Sequence, residues 1–182
     1  MLPAVRKCDN VSSPVIIRLA VPEDAEPLRQ IYNHAAKTST ATMDTDGRTP
    51  EQLAKWMEAH DGAPYPLLVA ETVEDKTVVG YATLSSYNPK PGYARTAETS
   101  VYVHCDWQGK GIGKQLLTQQ ISDARQRGFI CLIALITADN EASLYLHRHH
   151  GFTDVGTIRR VGQKFGKELD VVTLQILLDE TA

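Results

Sequence analysis

The chain has the length and composition of one ordinary globular domain. It contains 182 residues, of which 42% are hydrophobic and 23% are charged, and this length suits one domain with a sizeable core better than two. The formal net charge of -3 provides no basic excess for nucleic acid or an anionic membrane. No uncharged apolar run approaches the roughly 18 residues that a membrane helix needs. The composition therefore argues against a nucleic-acid-binding protein and against a membrane protein.

The cysteines and histidines favour a cytoplasmic protein without a metal site. Cys8, Cys105 and Cys131 have the spacing of neither a zinc site nor a disulfide framework. An odd number of widely separated cysteines suits a reducing cytosol. The histidine-rich stretch 147–150 is not spaced like a ligand set completed by a carboxylate, so we expect no metal.

The first half of the chain predicts a strand, two helices and three strands. Residues 1–14 lack the apolar stretch of a signal peptide, so they are predicted as a flexible leader before a single domain spanning 15–182. A strand is expected at 15–20, followed by helices that begin near Pro22 and Thr49. Strands are expected near 66–71, 77–85 and 96–104, with a hairpin turn at Asp75-Lys76.

The second half predicts helix, strand, helix and two final strands. Residues 111–127 keep a helical apolar period, and Gly128 follows where a helix often ends. Residues 129–136 form a nearly unbroken apolar run, which is typical of a strand buried on both faces. A helix at 140–150 precedes strands near 154–161 and 169–178. This order predicts a mixed α/β sheet with helices packed on its faces.

A glycine-rich turn between the third of those central strands and the following helix carries the most specific signal. Gln108 to Lys114 read Gln-Gly-Lys-Gly-Ile-Gly-Lys. Such a turn leaves backbone N–H groups unpaired at a helix N-terminus, where the helix dipole also favours an anion. Glycines allow a phosphate to approach the backbone without meeting a side chain.

Two other phosphate-binding patterns do not fit this turn. A Walker A loop needs one more residue between its glycines and a Ser or Thr after the lysine, where Gln115 stands. A dinucleotide fingerprint needs a third glycine where Lys114 stands. The pattern that fits is Gln-x-x-Gly-x-Gly after a Val-x-Val strand, and in this the chain resembles the GNAT acetyltransferase family.

The resemblance covers roughly residues 15–178 and is closest to the phosphinothricin and methionine sulfone (sulfoximine) acetyltransferases. Four segments carry it besides the turn: 31–35 (Ile-Tyr-Asn-His-Ala), 96–103 (Thr-Ala-Glu-Thr-Ser-Val-Tyr-Val), 140–152 and the late hairpin 162–170. It implies a GNAT fold: a mostly antiparallel sheet of about seven strands, splayed at the coenzyme site, with about four helices. It also implies a homodimer.

The same resemblance implies acetyl-CoA as the cosubstrate and assigns its contacts. The expected contacts are Val101, Tyr102 and Val103 on the strand, Gln108, Gly109, Lys110, Gly111, Ile112, Gly113 and Lys114 in the turn, and Asn140, Ser143 and His147 on the next helix. Lys110 and Lys114 are equally well explained as solvated lysines. Asn140 is also a suitable helix N-cap, and the two roles are compatible.

Acetyl transfer to an amine requires a base, because aliphatic amines are protonated at pH 7. Glu98 occupies the position of the resembled branch's catalytic glutamate; a surface glutamate or a structural ion pair is the alternative. The N–H of Val103 is expected to stabilise the oxyanion. His147 stands where many GNAT enzymes have a tyrosine that protonates the leaving thiolate. It is expected to act as an acid, as a coenzyme contact or as both, and a structural role is the alternative.

The acceptor residues are expected to be Tyr32, Asn33, Tyr87, Lys90, Tyr93 and Glu98. The branch often has Trp followed by Arg or Lys about ten residues before the glutamate, but this chain has Tyr87-Asn88. Lys90, displaced by two residues, is the candidate cation for an acidic group of the acceptor. Glu168 stands where the late hairpin often has an aromatic residue.

These observations predict a cytoplasmic acetyl-CoA-dependent N-acetyltransferase that acts on the primary amine of a small molecule, an amino acid or an analogue. One alternative is a GNAT enzyme that acetylates a protein or peptide. Another is a non-catalytic CoA-binding regulatory module, which would need neither Glu98 nor His147.

Overall fold

The structure, a computed structural model, describes residues 14–60 and 64–178. The predicted leader lies outside the described residues apart from Pro14, as does Cys8. Within the described part of the chain, no helix is long and apolar enough to cross a membrane.

Seven strands and four α-helices make up the described fold. The strands are β1 (Val15–Leu19), β2 (Leu67–Thr72), β3 (Val78–Ser86), β4 (Thr96–Val103), β5 (Cys131–Thr137), β6 (Thr153–Lys164) and β7 (Lys167–Leu177). The helices are α1 (Ala25–Thr38), α2 (Pro50–Glu58), α3 (Ile112–Gln126) and α4 (Glu141–His149).

The strands form one sheet in the order β1-β2-β3-β4-β5-β7-β6. Every neighbouring pair is antiparallel except β4 and β5, which run parallel. A parallel pair needs a crossover connection, and α3 provides it. The predicted mixed sheet of about seven strands with about four helices is confirmed.

Helices cover both faces of the sheet. Leu28 and Ile31 of α1 and Leu53 of α2 pack with Val69 and Tyr81 on one face. On the other face, α3 packs its buried leucines against alternate residues of β2 to β5, and Leu144 of α4 joins the same core. Because side chains alternate along a strand, Glu98, Ser100 and Tyr102 of β4 share the α1–α2 face with Tyr81.

The last two strands are longer than the sequence predicted. Strand β6 extends to Lys164 and β7 begins at Lys167, so the glycine-containing segment 162–166 pairs as sheet almost to its tip. The predicted strands end earlier because Gly162 and Gly166 are poor strand formers by propensity. Phe165 and Gly166 both have positive φ, at 51° and 71°, and make the tight turn.

Candidate active site

The sheet opens between β4 and β5. Their parallel pairing covers only Thr96 to Glu98 against Cys131 to Ile133, although β4 continues to Val103. The remainder of β4 therefore pairs with a neighbouring strand on its β3 side alone. The predicted splay is present, and it begins directly after Glu98.

Two valines of β4 direct their backbone groups into this opening. The N–H of His104 donates to the carbonyl of Val79 at 2.9 Å, which makes Val103 and Gly80 a non-hydrogen-bonded antiparallel pair. Because such pairs alternate with hydrogen-bonded ones, Val101 and Val103 aim N–H and C=O away from β3. Tyr102 is instead a hydrogen-bonded pair with Tyr81, so its backbone groups are directed at β3, and its contact with the coenzyme stays a prediction.

The glycine turn presents free backbone donors at the start of α3. Gly109 and Gly111 have positive φ, at 73° and 80°, and a Cβ at either position would meet no atom within 4 Å. The first backbone bond of α3 runs from the Gln115 N–H to the Gly111 carbonyl, so earlier N–H groups of the helix have no partner within it. This open, dipole-favoured end fits the pyrophosphate of acetyl-CoA.

Gly113, the third glycine of the turn, is required for close packing. A Cβ on Gly113 would lie 3.3 Å from the side chain of Leu146 and 3.8 Å from that of Val103. Glycine therefore lets the first turn of α3 pack closely against β4 and α4. This packing fixes the turn beside the open edge of β4.

Two of the polar side chains of the turn already make contacts within the protein. The Gln108 amide donates to the Val103 carbonyl at 3.2 Å, which ties the turn to β4. The Lys110 ammonium lies 4.3 Å from the centre of the Trp107 ring, in cation–π contact. Lys114 is exposed. Gln108 thus has a visible structural role, whereas both lysines remain near enough to the turn to meet a phosphate.

A compact cluster of metal-ligand atoms precedes the turn. Ligand atoms of His104, Cys105 and Asp106 lie within 4.8 Å of one another. However, His104 Nδ1 accepts the backbone N–H of Asp106 at 3.3 Å and so caps a short 3₁₀ turn. This accounts for the cluster without a metal, and the expectation of a metal-free enzyme stays a prediction.

Helix α4 holds the remaining predicted coenzyme residues. The Asn140 side chain accepts the Ser143 N–H at 3.2 Å, so the predicted N-cap is confirmed. His147, only 3% exposed, lies edge-on to Phe152. Its Nδ1 is 2.9 Å from the Ser143 carbonyl, which requires a proton on Nδ1 and leaves the lone pair of the neutral ring on Nε2. Burial, with a smaller contribution from His150, lowers the pKa of His147.

Glu98 is a half-buried carboxylate without a counter-ion. Within the described residues it has neither a hydrogen bond nor an ion pair, unlike the ion-paired Glu71 on β2. Burial raises the pKa of the Glu98 carboxyl, as expected when a charged form loses water and gains no partner. The structural ion pair that the sequence left open is therefore not present in the described part of the chain.

A cavity of about 100 Å³ lies on the α1–α2 face, beside the β4 residues that follow Glu98. Its lining residues are Tyr32, Arg48, Trp56, Tyr81, Thr83, Ser85, Ser100 and Tyr102. The register pairs Ser85 with Glu98 and Thr83 with Ser100. Facing residues of an antiparallel pair are close neighbours, so Glu98 stands at the rim of this cavity.

Of the predicted acceptor residues, Tyr32 lines the cavity and four others do not. Asn33 is turned to the protein: its amide donates to the Arg48 carbonyl at 3.0 Å and accepts the Arg48 N–H at 2.7 Å. Tyr87 and Tyr93 stack edge-on in the loop after β3, each 43% exposed. Lys90 is exposed in the same loop, where its N–H bonds to Asn88.

The cation in the cavity is Arg48, which the sequence reasoning missed. Its guanidinium carbon lies 4.0 Å from the Tyr32 ring centre and 4.9 Å from the Trp56 ring centre. One sequence signal could have drawn attention to it. Arg48 directly precedes the Thr49–Gln52 capping box, whose bonds of 2.9 and 3.2 Å fix the start of α2.

Comparison with known families decides what this arrangement is. The family described as acetyltransferase (GNAT) domain matches residues 17–173, which is most of the chain. The chain belongs to the GNAT acetyltransferase family. The predicted family and enzyme class are thereby confirmed.

Relatives of this GNAT enzyme include amino-acid acetyltransferases. It is 41% identical over 164 residues to the L-amino acid N-acyltransferase MnaT of Escherichia coli, covering 90% of this chain and 94% of the relative. It is 42% identical over 171 residues to the L-methionine sulfoximine/L-methionine sulfone acetyltransferase of Salmonella typhimurium, covering 91% and 96%. The resemblance to the methionine sulfone branch is confirmed.

Solved structures share the fold of the enzyme closely. The structure of yncA from Salmonella typhimurium with its cofactor acetyl-CoA has a TM-score of 0.88 at 38% identity, covering 93% of this chain and 97% of that one. A structure described as ribosomal-protein-alanine N-acetyltransferase from Brucella melitensis has a TM-score of 0.86 at 40% identity, covering 90% and 99%.

Proposed function

We propose that this GNAT enzyme transfers the acetyl group of acetyl-CoA to the primary amine of an amino acid or amino-acid analogue, with Glu98 as the base. The observation that carries the proposal is the position of Glu98. It is a carboxylate with a raised pKa and no partner among the described residues, at the point where β4 leaves β5 and at the rim of a small cavity. A carboxylate kept free of counter-ions is available to accept a proton.

The reaction then follows from the groups around the opening. Glu98 removes a proton from the ammonium form of the acceptor, directly or through a water. The neutral nitrogen forms a bond to the acetyl carbon, and the carbon–sulfur bond breaks. Negative charge that develops on the carbonyl oxygen is stabilised by an N–H aimed into the opening, for which Val103 is the candidate. The second proton of the nitrogen leaves to solvent, and the thiolate is protonated.

His147 is better suited to contact the coenzyme than to protonate the thiolate. A proton donor at Nε2 would need the imidazolium form, because Nδ1 already carries the proton of the neutral ring. Burial lowers the pKa of His147 and so disfavours that form at neutral pH. We therefore assign His147 to the support of α4 beside the coenzyme, with Ser143 and Asn140.

The acceptor is proposed to be a compact amine because the cavity is small and half of its lining residues are aromatic. The names of the relatives support this choice, since both act on amino acids or their analogues. The Brucella structure is the specific reason to keep acetylation of a protein N-terminus as a second candidate. The arrangement of Glu98 beside a formed cavity counts against a non-catalytic CoA-binding module.

An assay of thiol release with acetyl-CoA separates these candidates. Methionine sulfone, several common amino acids and a peptide with an N-terminal alanine serve as acceptors, and product masses identify what was acetylated. Turnover on amino acids and not on the peptide supports the proposal. Turnover only on the peptide supports the second candidate, and coenzyme binding without any turnover supports the module.

We also propose that the enzyme is a cytoplasmic homodimer. Apolar side chains project to solvent along the last hairpin: Val155, Ile158, Val161 and Phe165 are each more than half exposed. Several exposed apolar side chains on one hairpin suit contact with a second copy of the chain. The cytoplasmic location rests on the cysteine pattern of the sequence.

A further inference from the structure

The guanidinium of Arg48 makes no hydrogen bond to the described part of the protein. Its Nη1 is buried and has no hydrogen-bond partner among the described residues. It takes part in none of the ion pairs of that part of the chain. The nearby carboxylate Asp44 is already engaged, because it accepts the hydroxyl of Tyr32.

Leaving a buried guanidinium donor unpaired is unfavourable. The rings of Tyr32 and Trp56 stabilise the charge through their faces. Ring faces do not accept the in-plane N–H bonds that a guanidinium directs outward, however. The N–H groups at the edge of the Arg48 guanidinium therefore still need an oxygen acceptor. A ligand in the cavity that Arg48 lines can provide it.

The protein fixes this cation before any ligand arrives. Asn33 clamps both backbone groups of Arg48. Gly47 permits the clamp, because a Cβ there would lie 2.5 Å from the Asn33 side chain. The capping box of α2 begins at the next residue. Arg48 is thus held between a side-chain clamp and a helix start, which lowers the entropy lost when it binds a ligand.

The cavity relates this cation to the base. Arg48, Ser100 and Ser85 line one cavity. Glu98 is opposite Ser85 in the register and precedes Ser100 along the same face of β4, where same-face neighbours are about 7 Å apart. A molecule that fills this cavity can therefore reach Arg48 while its amine meets the rim near Glu98.

We propose that Arg48 binds the carboxylate of the acceptor through paired N–H···O bonds and so selects amines that carry an acidic group. This rests on the proposed function and assigns its specificity to one residue. It takes the place of Lys90, which stays exposed in a loop. The planar guanidinium matches a carboxylate in a way that an ammonium does not. Asn33 is then a positioning residue for Arg48 and not a ligand of the acceptor.

The test compares two acceptors that differ in charge and little in shape: L-methionine sulfone and its carboxamide. Arg48→Met should raise KM for the carboxylate about 10-fold to 100-fold, the range for losing hydrogen bonds to a charged group. KM for the carboxamide should change less than about 3-fold. Arg48→Lys keeps the positive charge but loses the planar pair of donors, so its KM for the carboxylate should lie between those of the parent enzyme and Arg48→Met. Arg29→Met removes a half-buried arginine of α1 that pairs with Glu26 and does not line the cavity, and it is the matched control.

A binding measurement separates failure of this inference from failure of the proposed function. Of the two tryptophans in the chain, Trp56 lies beside Arg48. In a Trp107→Phe background, methionine sulfone without acetyl-CoA should therefore change the Trp56 fluorescence, and Arg48→Met should weaken that titration at least 10-fold. If neither acceptor is acetylated, the proposed function fails. If both are acetylated and Arg48→Met affects them equally, or if Lys90→Met produces the selective loss instead, the assignment of Arg48 is overturned.

Discussion

Replacement of Glu98 by glutamine keeps the shape of the side chain and removes the proposed base. We expect the turnover number to fall about 10²-fold to 10⁴-fold, the usual contribution of a positioned general base. The Michaelis constant for acetyl-CoA should change little, because the turn and Glu98 lie on different elements. Thiol release at saturating coenzyme measures both quantities.

The same substitution has a second consequence that a surface glutamate would not produce. Glu98 has no partner among the described residues, and burial raises the pKa of its carboxyl, so its charged form destabilises the fold. The folded state holds this proton more tightly than the unfolded state, so the loss of stability sets in as pH rises from the ordinary glutamate pKa through the raised one. Glu98→Gln should therefore raise the thermal midpoint at pH 7.

This gain should shrink at a pH near the ordinary glutamate pKa, where the carboxyl is largely protonated. Glu58→Gln, on the exposed surface of α2, is the matched control and should alter neither activity nor the midpoint. The reasoning is refuted if Glu98→Gln retains turnover within 3-fold of the parent enzyme at pH 7. It is also refuted if the variant is less stable at pH 7, which would reveal a partner that the carboxylate needs.

Further predictions concern four other positions: Gly111, His147, Asn33 and Ile158. Gly111→Val should weaken acetyl-CoA binding, measured by calorimetry, 10-fold or more. The control Gly128→Val places a side chain in open space at a similar positive φ of 81° and should leave the affinity unchanged. Equal losses of affinity in the two variants would attribute the effect to backbone strain. A histidine whose pKa is lowered in the folded state disfavours that state as pH falls below the ordinary histidine pKa. His147→Phe should therefore reduce the loss of thermal stability between pH 7 and pH 5. An unchanged pH dependence would contradict the buried neutral ring. The same variant should raise the KM for acetyl-CoA more than it lowers kcat, and a selective fall in kcat would restore the proton-donor role. Asn33→Ala should raise the acceptor KM about 3-fold to 10-fold without changing the KM for acetyl-CoA. An unchanged acceptor KM would contradict the positioning role of Asn33. Light scattering should report a dimer for the parent enzyme and a smaller species for Ile158→Asp; a monomeric parent would contradict the proposed interface.

The backbone geometry proposed to hold the coenzyme could be predicted because its signal is local in sequence. The glycines of the turn, the Asn140 cap and the position of Glu98 before the Val-x-Val strand lie within short segments whose geometry follows from backbone rules. The helix N-terminus, the open edge of β4 and the confirmed splay all depend on those segments.

The cavity proposed for the acceptor could not be predicted in the same way because it is assembled from distant segments. Arg48 reaches the cavity from the loop before α2, and its place depends on Asn33 and Gly47. The sequence predicted Asn33 in the site, and it lies next to the site, but its amide faces the Arg48 backbone. The sequence favours Lys90 because it lies two residues from the position where the resembled branch often has Arg or Lys, whereas the fold leaves Lys90 exposed.

The central claim is that the cavity beside Glu98 receives a small amino-acid-like amine for acetylation. The most direct measurement is kcat/KM with acetyl-CoA for methionine sulfone and for a peptide with an N-terminal alanine, in the parent enzyme and in Glu98→Gln, with product masses recorded. The account predicts acetylation of methionine sulfone by the parent enzyme, at least 100-fold preference over the peptide, and loss of that activity in the variant. Preference for the peptide, or equal activity of the two enzymes on methionine sulfone, would contradict it.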